Sequence, residues 1–192
     1  MLVLSLSGCI QSHPNRLYLL RAQPGESVAV ESAAPQAVGR VIGIGPVYIS
    51  DYLDRSEIVR RVGPNELELA EFHQWAQPLD VSISDVVAHN LRTRLGAGQV
   101  LAFPWATSLS PDVVVRLDVR QFDADSPGNV TLDADITITG LDKREVSVGH
   151  YRATVESQGS SFADVARAHS NALADLSARI ARDLLEPSEK NE

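Results

Sequence analysis

The sequence predicts a single α/β domain: a mixed sheet with an antiparallel C-terminal meander, packed by two main amphipathic helices. Three observations predict it. Residues 37–49 (AVGRVIGIGPVYI) are β-branched and almost uncharged, as a central strand buried on both faces requires. Between 113 and 155, three runs alternate apolar and polar residues with a period of two. Two other stretches, 82–95 and 162–184, place their apolar residues at the 3.6 spacing of helices with one buried stripe. Strands and helices that must share one core are expected to pack as helices on a sheet, and 192 residues suffice to bury such a core.

Along the chain, Arg16-Leu-Tyr-Leu-Leu20 is a short apolar strand candidate, followed by a Pro- and Gly-bearing loop over 21–36. In the 37–49 run, Gly43 and Gly45 point to a bulge or a close backbone approach, and Pro46 to a bend. Residues 57–62 and 65–70 flank Gly63-Pro64 and read as a hairpin with one wet face, Leu67 and Leu69 alternating with glutamates. Ile83, Val86, Val87, Asn90, Leu91 and Leu95 form a helical stripe, with Ser82 or Ser84 as cap and Gly96 as stop. Residues 99–103 are a short strand ended by Pro104. The meander strands follow, with a bulge expected at Gly149, and the last helix carries Phe162, Val165, His169, Leu173, Leu176, Ile180 and Leu184 on one face before Pro187.

The first nine residues, Met1-Leu-Val-Leu-Ser-Leu-Ser-Gly-Cys9, pass from an apolar run to two small residues and the only cysteine. A secretory signal ends this way, and a cysteine directly after the small pair turns the cleavage site into a lipidation site. The pattern resembles the lipobox of bacterial lipoproteins. It implies lipidation at Cys9, residues 1–8 as part of a signal that begins upstream of Met1, and residues 9–15 as a tether. Residues 16–187 are expected to form the domain, and 188–192 a disordered tail. Several acyl chains would hold the domain stably at a membrane, since a single chain binds only marginally.

Composition narrows the function classes. With 17 Lys+Arg against 25 Asp+Glu, the net charge is −8, which argues against nucleic acid as a partner. One cysteine excludes an internal disulfide framework. The five histidines show no metal-ligand spacing, and His169 falls on the apolar stripe of the last helix, where a core role is expected. Gly43-Ile-Gly45 lacks the third glycine of a dinucleotide loop, and neither a phosphate-loop nor a nucleophile-elbow motif occurs. No catalytic residue, metal ligand or cofactor is therefore expected. Four of the ten aromatics, Tyr48, Tyr52, Phe72 and Trp75, fall within 48–75 beside charged residues, a composition found both at protein interfaces and in cores.

Pro46-Val-Tyr-Ile-Ser-Asp-Tyr-Leu-Asp-Arg55, Ile58-Val59, Phe72-His-Gln-Trp75-Ala-Gln-Pro-Leu79 and Asn90-Leu91, in that order after a lipobox, resemble the ABC-type transport auxiliary lipoproteins of the PqiC/YmbA group. The resemblance implies an α/β lipoprotein, not an enzyme, on the periplasmic face of the outer membrane. It also implies partnership with an inner-membrane protein whose mammalian-cell-entry domains form a tube carrying lipid across the periplasm, and a homo-oligomer around the tube's end. The residues expected to meet that partner are Tyr48, Asp51, Tyr52, Leu53, Asp54, Arg55 and Trp75. The competing expectation is an envelope structural or assembly lipoprotein with no transport role.

Overall fold

The computed structural model describes residues 14–23, 40–96, 99–106, 108–140 and 146–185. Cys9, the signal residues 1–8, most of the tether and the tail 188–192 lie outside the described residues. Eight strands and two helices follow in the order β1 (Arg16–Tyr18), β2 (Val41–Ile49), β3 (Glu57–Gly63), β4 (Glu66–Trp75), α1 (Leu79–Leu95), β5 (Gln99–Ala102), β6 (Val113–Asp125), β7 (Val130–Gly140), β8 (Val146–Val155) and α2 (Phe162–Leu185). The predicted α/β domain with its mixed sheet is the observed fold.

The strands form one sheet in the order β1-β4-β3-β6-β2-β5, with β7 on β6 and β8 on β7. β2 lies parallel to β5 and β6, whereas β6, β7 and β8 pair antiparallel as the expected meander. Strand β6 is the organising element. One of its edges holds β2 along Val113–Val119 and then β3 at Ala124–Asp125, with β7 along its other edge. The loop 50–56 crosses where β2 hands over to β3.

One sheet face carries both helices. Ile42, Ile44, Val115, Leu117, Phe122, Leu132, Ala134 and Ile136 point into it and are at most 2 % exposed. From the helix side come Ile83, Val87 and Leu91 of α1 and Leu173, Leu176 and Ile180 of α2, all fully buried. Burying a side chain of this size contributes about 1.5–3 kcal/mol, so this layer dominates stability.

Several local expectations are corrected. α1 begins at Leu79 after Pro78, with no side-chain cap. Ser84 instead donates to the Ile44 carbonyl at 2.8 Å and accepts from the Phe103 amide at 3.1 Å, satisfying backbone groups beside a bulge in β2. That bulge lies between Ile44 and Val47, where Gly45 has φ +119° and a Cβ would stand 2.5 Å from the Phe103 Cβ. Gly149 makes no bulge, because the β7–β8 register runs unbroken through it. The irregularity falls in β6 instead, between Val119 and Gln121. The β3–β4 hairpin is wet on both faces at its tip. Leu67 and Leu69 pair with Arg61 and Val59 on the face that carries no helix, and remain 39 % and 43 % exposed.

Candidate partner-binding face

The sheet face opposite the helices is an open, charged surface. Alternation along β6, β7 and β8 sends Arg116, Asp118, Arg120, Asp133, Asp135, His150 and Arg152 to this side. The β7–β8 register sets Asp133 opposite Arg152 and Asp135 opposite His150, and neighbouring arginines of β6 complete the charge pattern. Arg120 pairs with Asp135, whose other oxygen meets His150 Nδ1 at 2.9 Å. Arg152 Nη1 lies 2.5 Å from Asp133, and Arg116 Nε lies 3.2 Å from Asp118. These pairs are partly solvated and contribute little stability one by one. They offer a fixed pattern of both signs.

Tyr48, on β2, opposes Asp118 at the border of this surface and is 54 % exposed. Beyond it the loop 50–56 is pinned from below. The Ser50 amide donates to the Val119 carbonyl at 3.0 Å, and its hydroxyl to the Arg120 carbonyl at 2.9 Å. Leu53 is 2 % exposed and anchors the loop in the core. The Tyr52 hydroxyl donates to Asp123 at 2.8 Å, and Arg55 Nε to the Tyr52 carbonyl at 2.7 Å. Burial, reinforced by the Asp123 carboxylate, raises the Tyr52 pKa well above its ordinary value, so the phenol stays protonated and remains a donor. The outcome is a rigid loop presenting Asp51, Asp54 and Arg55 to solvent.

Of the seven residues expected to meet a partner, five share this surface: Tyr48, Asp51, Tyr52, Asp54 and Arg55. Leu53 and Trp75 do not. Trp75 is 7 % exposed and packs edge-on against His169, at a ring separation of 5.2 Å, on the helix side of the sheet. Both are core residues whose burial removes them from the accessible face. His169 is core as well. Its Nδ1 donates to the Val165 carbonyl at 2.8 Å between the Trp75 and Phe122 rings, and desolvation lowers its pKa to about 4.

The sequence does not mark the charged residues of β6–β8 as a site. Their signal was the alternation of Arg116, Asp118 and Arg120 with valines and leucine, readable as one face but not as paired charges. Among the described residues, no group of three or more His, Cys, Asp or Glu side chains is arranged to hold a metal ion. No described helix is long and apolar enough to cross a membrane.

No curated protein gives a match to this chain. Solved structures do. A protein described only as uncharacterized aligns with a TM-score of 0.73 at 17% identity, over 90% of this chain and 99% of its own. Protein XCC0632 from Xanthomonas campestris aligns with a TM-score of 0.72 at 20% identity, over 88% of this chain and 94% of its own. The PelC dodecamer from Paraburkholderia phytofirmans is more remote, with a TM-score of 0.47 at 15% identity over 80% of this chain and 93% of its own. At these identities the likeness concerns the fold. The family model for the ABC-type transport auxiliary lipoprotein component matches residues 18–181, nearly the whole domain, and the chain belongs to that family.

Proposed function

We propose that the protein is a lipid-anchored accessory component of an intermembrane lipid transport system of the mammalian-cell-entry type. Acyl chains on Cys9 hold it to the periplasmic face of the outer membrane. The surface formed by Tyr48, Tyr52, Asp51, Asp54 and Arg55 docks the outer end of the tube built by the inner-membrane partner, with further copies of this chain around it. The work is docking and stabilisation, with no bond made or broken.

The observation that carries this reading is family membership over residues 18–181, which makes the chain an auxiliary lipoprotein of a transport system and places it in the envelope at a membrane. The geometry supports the docking surface. An exposed tyrosine beside a rigid loop of mixed charge has the composition of protein interfaces, where tyrosine and arginine carry much of the binding energy.

The test is affinity purification of the lipidated protein from envelopes. A partner with mammalian-cell-entry domains is expected in the eluate, and is expected to be lost from a Tyr48→Ala, Arg55→Glu variant of unchanged stability. Recovery without any such partner would overturn the proposal. Should deletion leave permeability and lipid asymmetry intact while another envelope assembly fails, the structural-lipoprotein reading replaces it.

A further inference from the structure

The segment Arg16–Arg21 is the first part of the domain after the tether, and its exposure alternates. Leu20 is 7 % exposed, and Tyr18 is half-buried, its hydroxyl 2.7 Å from His73 Nδ1. Leu17 and Leu19, between and beside them, are 64 % and 49 % exposed. The backbone that presents these leucines is fixed on both sides. Residues 16–18 pair with 73–75 of β4, the Tyr18 carbonyl accepts from the Ala76 amide at 2.8 Å, and the Arg21 amide donates to Ser170 Oγ of α2 at 3.1 Å. Exposure here belongs to an ordered edge.

Leu17 and Leu19 form one wall of an open groove of ≈ 460 Å³ whose other wall is Ala163, Ala166 and Ser170 of α2, with Arg21 and Arg167 lining it. Arg16 stands at the far end of the same segment. Among the described residues, neither Arg16 nor Arg21 is paired with a carboxylate. In a chain of net charge −8, these two outward leucines are bracketed by two arginines without an ion pair. Apolar side chains that enter the acyl boundary, flanked by cations that meet phosphates, are the chemistry of interfacial membrane binding.

We propose that this edge is the membrane-facing side of the domain. Leu17 and Leu19 enter the headgroup–acyl boundary of an anionic phospholipid bilayer, and Arg16 and Arg21 lie at its phosphates. The proposal rests on the anchored-lipoprotein reading and deepens it by fixing an orientation. Leu17 is eight residue steps beyond Cys9, and eight fully extended steps span about 28 Å, so an acylated Cys9 keeps the leucines within reach of the same leaflet. Two leucines and two arginines bind weakly alone. A tether raises their effective concentration at the surface and makes weak binding sufficient.

The experiment uses the lipidated full chain, in which an acylated Cys9 has no free thiol. Leu17→Cys, Leu19→Cys and, as a control on the open sheet face, Val148→Cys are each labelled with an environment-sensitive fluorophore. The proteins are reconstituted into phosphatidylethanolamine vesicles containing about one quarter phosphatidylglycerol. Labels at 17 and 19 are expected to shift to the blue and to be quenched by brominated lipid, with the label at 148 unaffected. Anchored protein with labels at 17 and 19 still in water overturns the proposal while leaving the anchor intact. Labels already shielded before vesicles are added, or shielded in step with protein concentration, assign the leucines to another part of the chain or to a second copy, and also overturn it. A reactive Cys9 and protein that does not float with vesicles is a different failure: it removes the anchor, and the proposal with it. In the Cys9→Ser chain, the combined Arg16→Gln, Arg21→Gln change is expected to weaken vesicle partitioning roughly thirtyfold at low salt. An unchanged partition coefficient counts against the arginines.

Discussion

The hydroxyl of Tyr52 donates to Oδ2 of Asp123 at 2.8 Å, tying the loop between β2 and β3 to a carboxylate 71 residues later that is only 1 % exposed. The same oxygen accepts from Arg61 Nη2 at 2.8 Å, while Oδ1 accepts from Gln121 at 2.9 Å and from Arg61 Nε at 3.3 Å. One buried charge thus joins the loop, β3 and β6 at the point where β2 gives way to β3. Arg61 repays its desolvation, and the neutral donors satisfy what remains.

Removing that carboxylate is expected to cost more than removing any one donor. Asp123→Ala leaves the Arg61 guanidinium and the Tyr52 hydroxyl without their acceptor and should lower unfolding free energy by about 3 kcal/mol. Tyr52→Phe deletes one hydrogen bond and should cost about 1 kcal/mol. Urea titration reads both. Amide exchange should accelerate across 50–56 in the Tyr52 variant and stay unchanged in α2. Equal losses for the two variants would show that Asp123 does not organise the site.

The residues around the candidate interface should separate into two classes on substitution. Trp75→Ala and Leu53→Ala open cavities under the sheet and should cost about 3–5 and 2–5 kcal/mol respectively. Tyr48→Ala, at an exposed position, should change stability by no more than about 0.5 kcal/mol. Chemical denaturation of the three variants checks this directly. A large loss at Tyr48 would mean that its ring supports the fold.

What could be read from the sequence was what depends on near neighbours. The stripes of both helices and the alternation of β6 to β8 follow from the 3.6 and 2.0 periods, and the bulge in β2 from two glycines within a strand run. What depends on distant partners was hidden. Nothing local marks Asp123 as buried, because its donors Arg61 and Tyr52 lie 62 and 71 residues away. Ser84 has the propensity of a cap, yet the carbonyl it serves, that of Ile44, belongs to a strand 40 residues earlier. Trp75 sits among charged residues in sequence, but strand alternation turns it toward His169. The Ser161-Phe-Ala-Asp164 start of α2, by contrast, is a local signal. The Ser161 hydroxyl accepts from the Asp164 amide at 3.2 Å and donates to its carboxylate at 2.6 Å, and with Arg167 beside it this holds the Asp164 pKa low.

Gly45 should tolerate no side chain. Its φ of +119° is rarely adopted by L residues, and an added Cβ would meet the Phe103 Cβ at 2.5 Å. Gly45→Ala combines backbone strain with a clash against a fixed segment, and roughly 2 kcal/mol or more of destabilisation is expected. Gly63→Ala is the control. Its φ is ordinary, and the nearest atom to an added Cβ is the Glu66 side chain at 3.4 Å, so thermal melts should show a far smaller shift there.

Acid should destabilise the domain through His169 in a defined window. The buried imidazole is held neutral, its pKa lowered to about 4 from 6.5, chiefly because the core cannot solvate the cation. Above pH 6.5 neither state is protonated, and the group's contribution is constant. As pH falls from 6.5 toward 4, the unfolded chain binds a proton that the native chain refuses, so stability is lost by up to one proton's worth per pH unit. At about 1.4 kcal/mol per unit the full loss is roughly 3 kcal/mol, and it levels off once the native state is protonated too. Carboxylates titrate in part of the same range, so the measurement is a difference. Unfolding free energy is followed from pH 7 to 4 for the wild type and for His169→Gln. The variant has a lower plateau at neutral pH but should lack this slope, so that the two curves converge on acidification. Curves that stay parallel would mean that His169 is protonated as easily in the folded core as in the open chain.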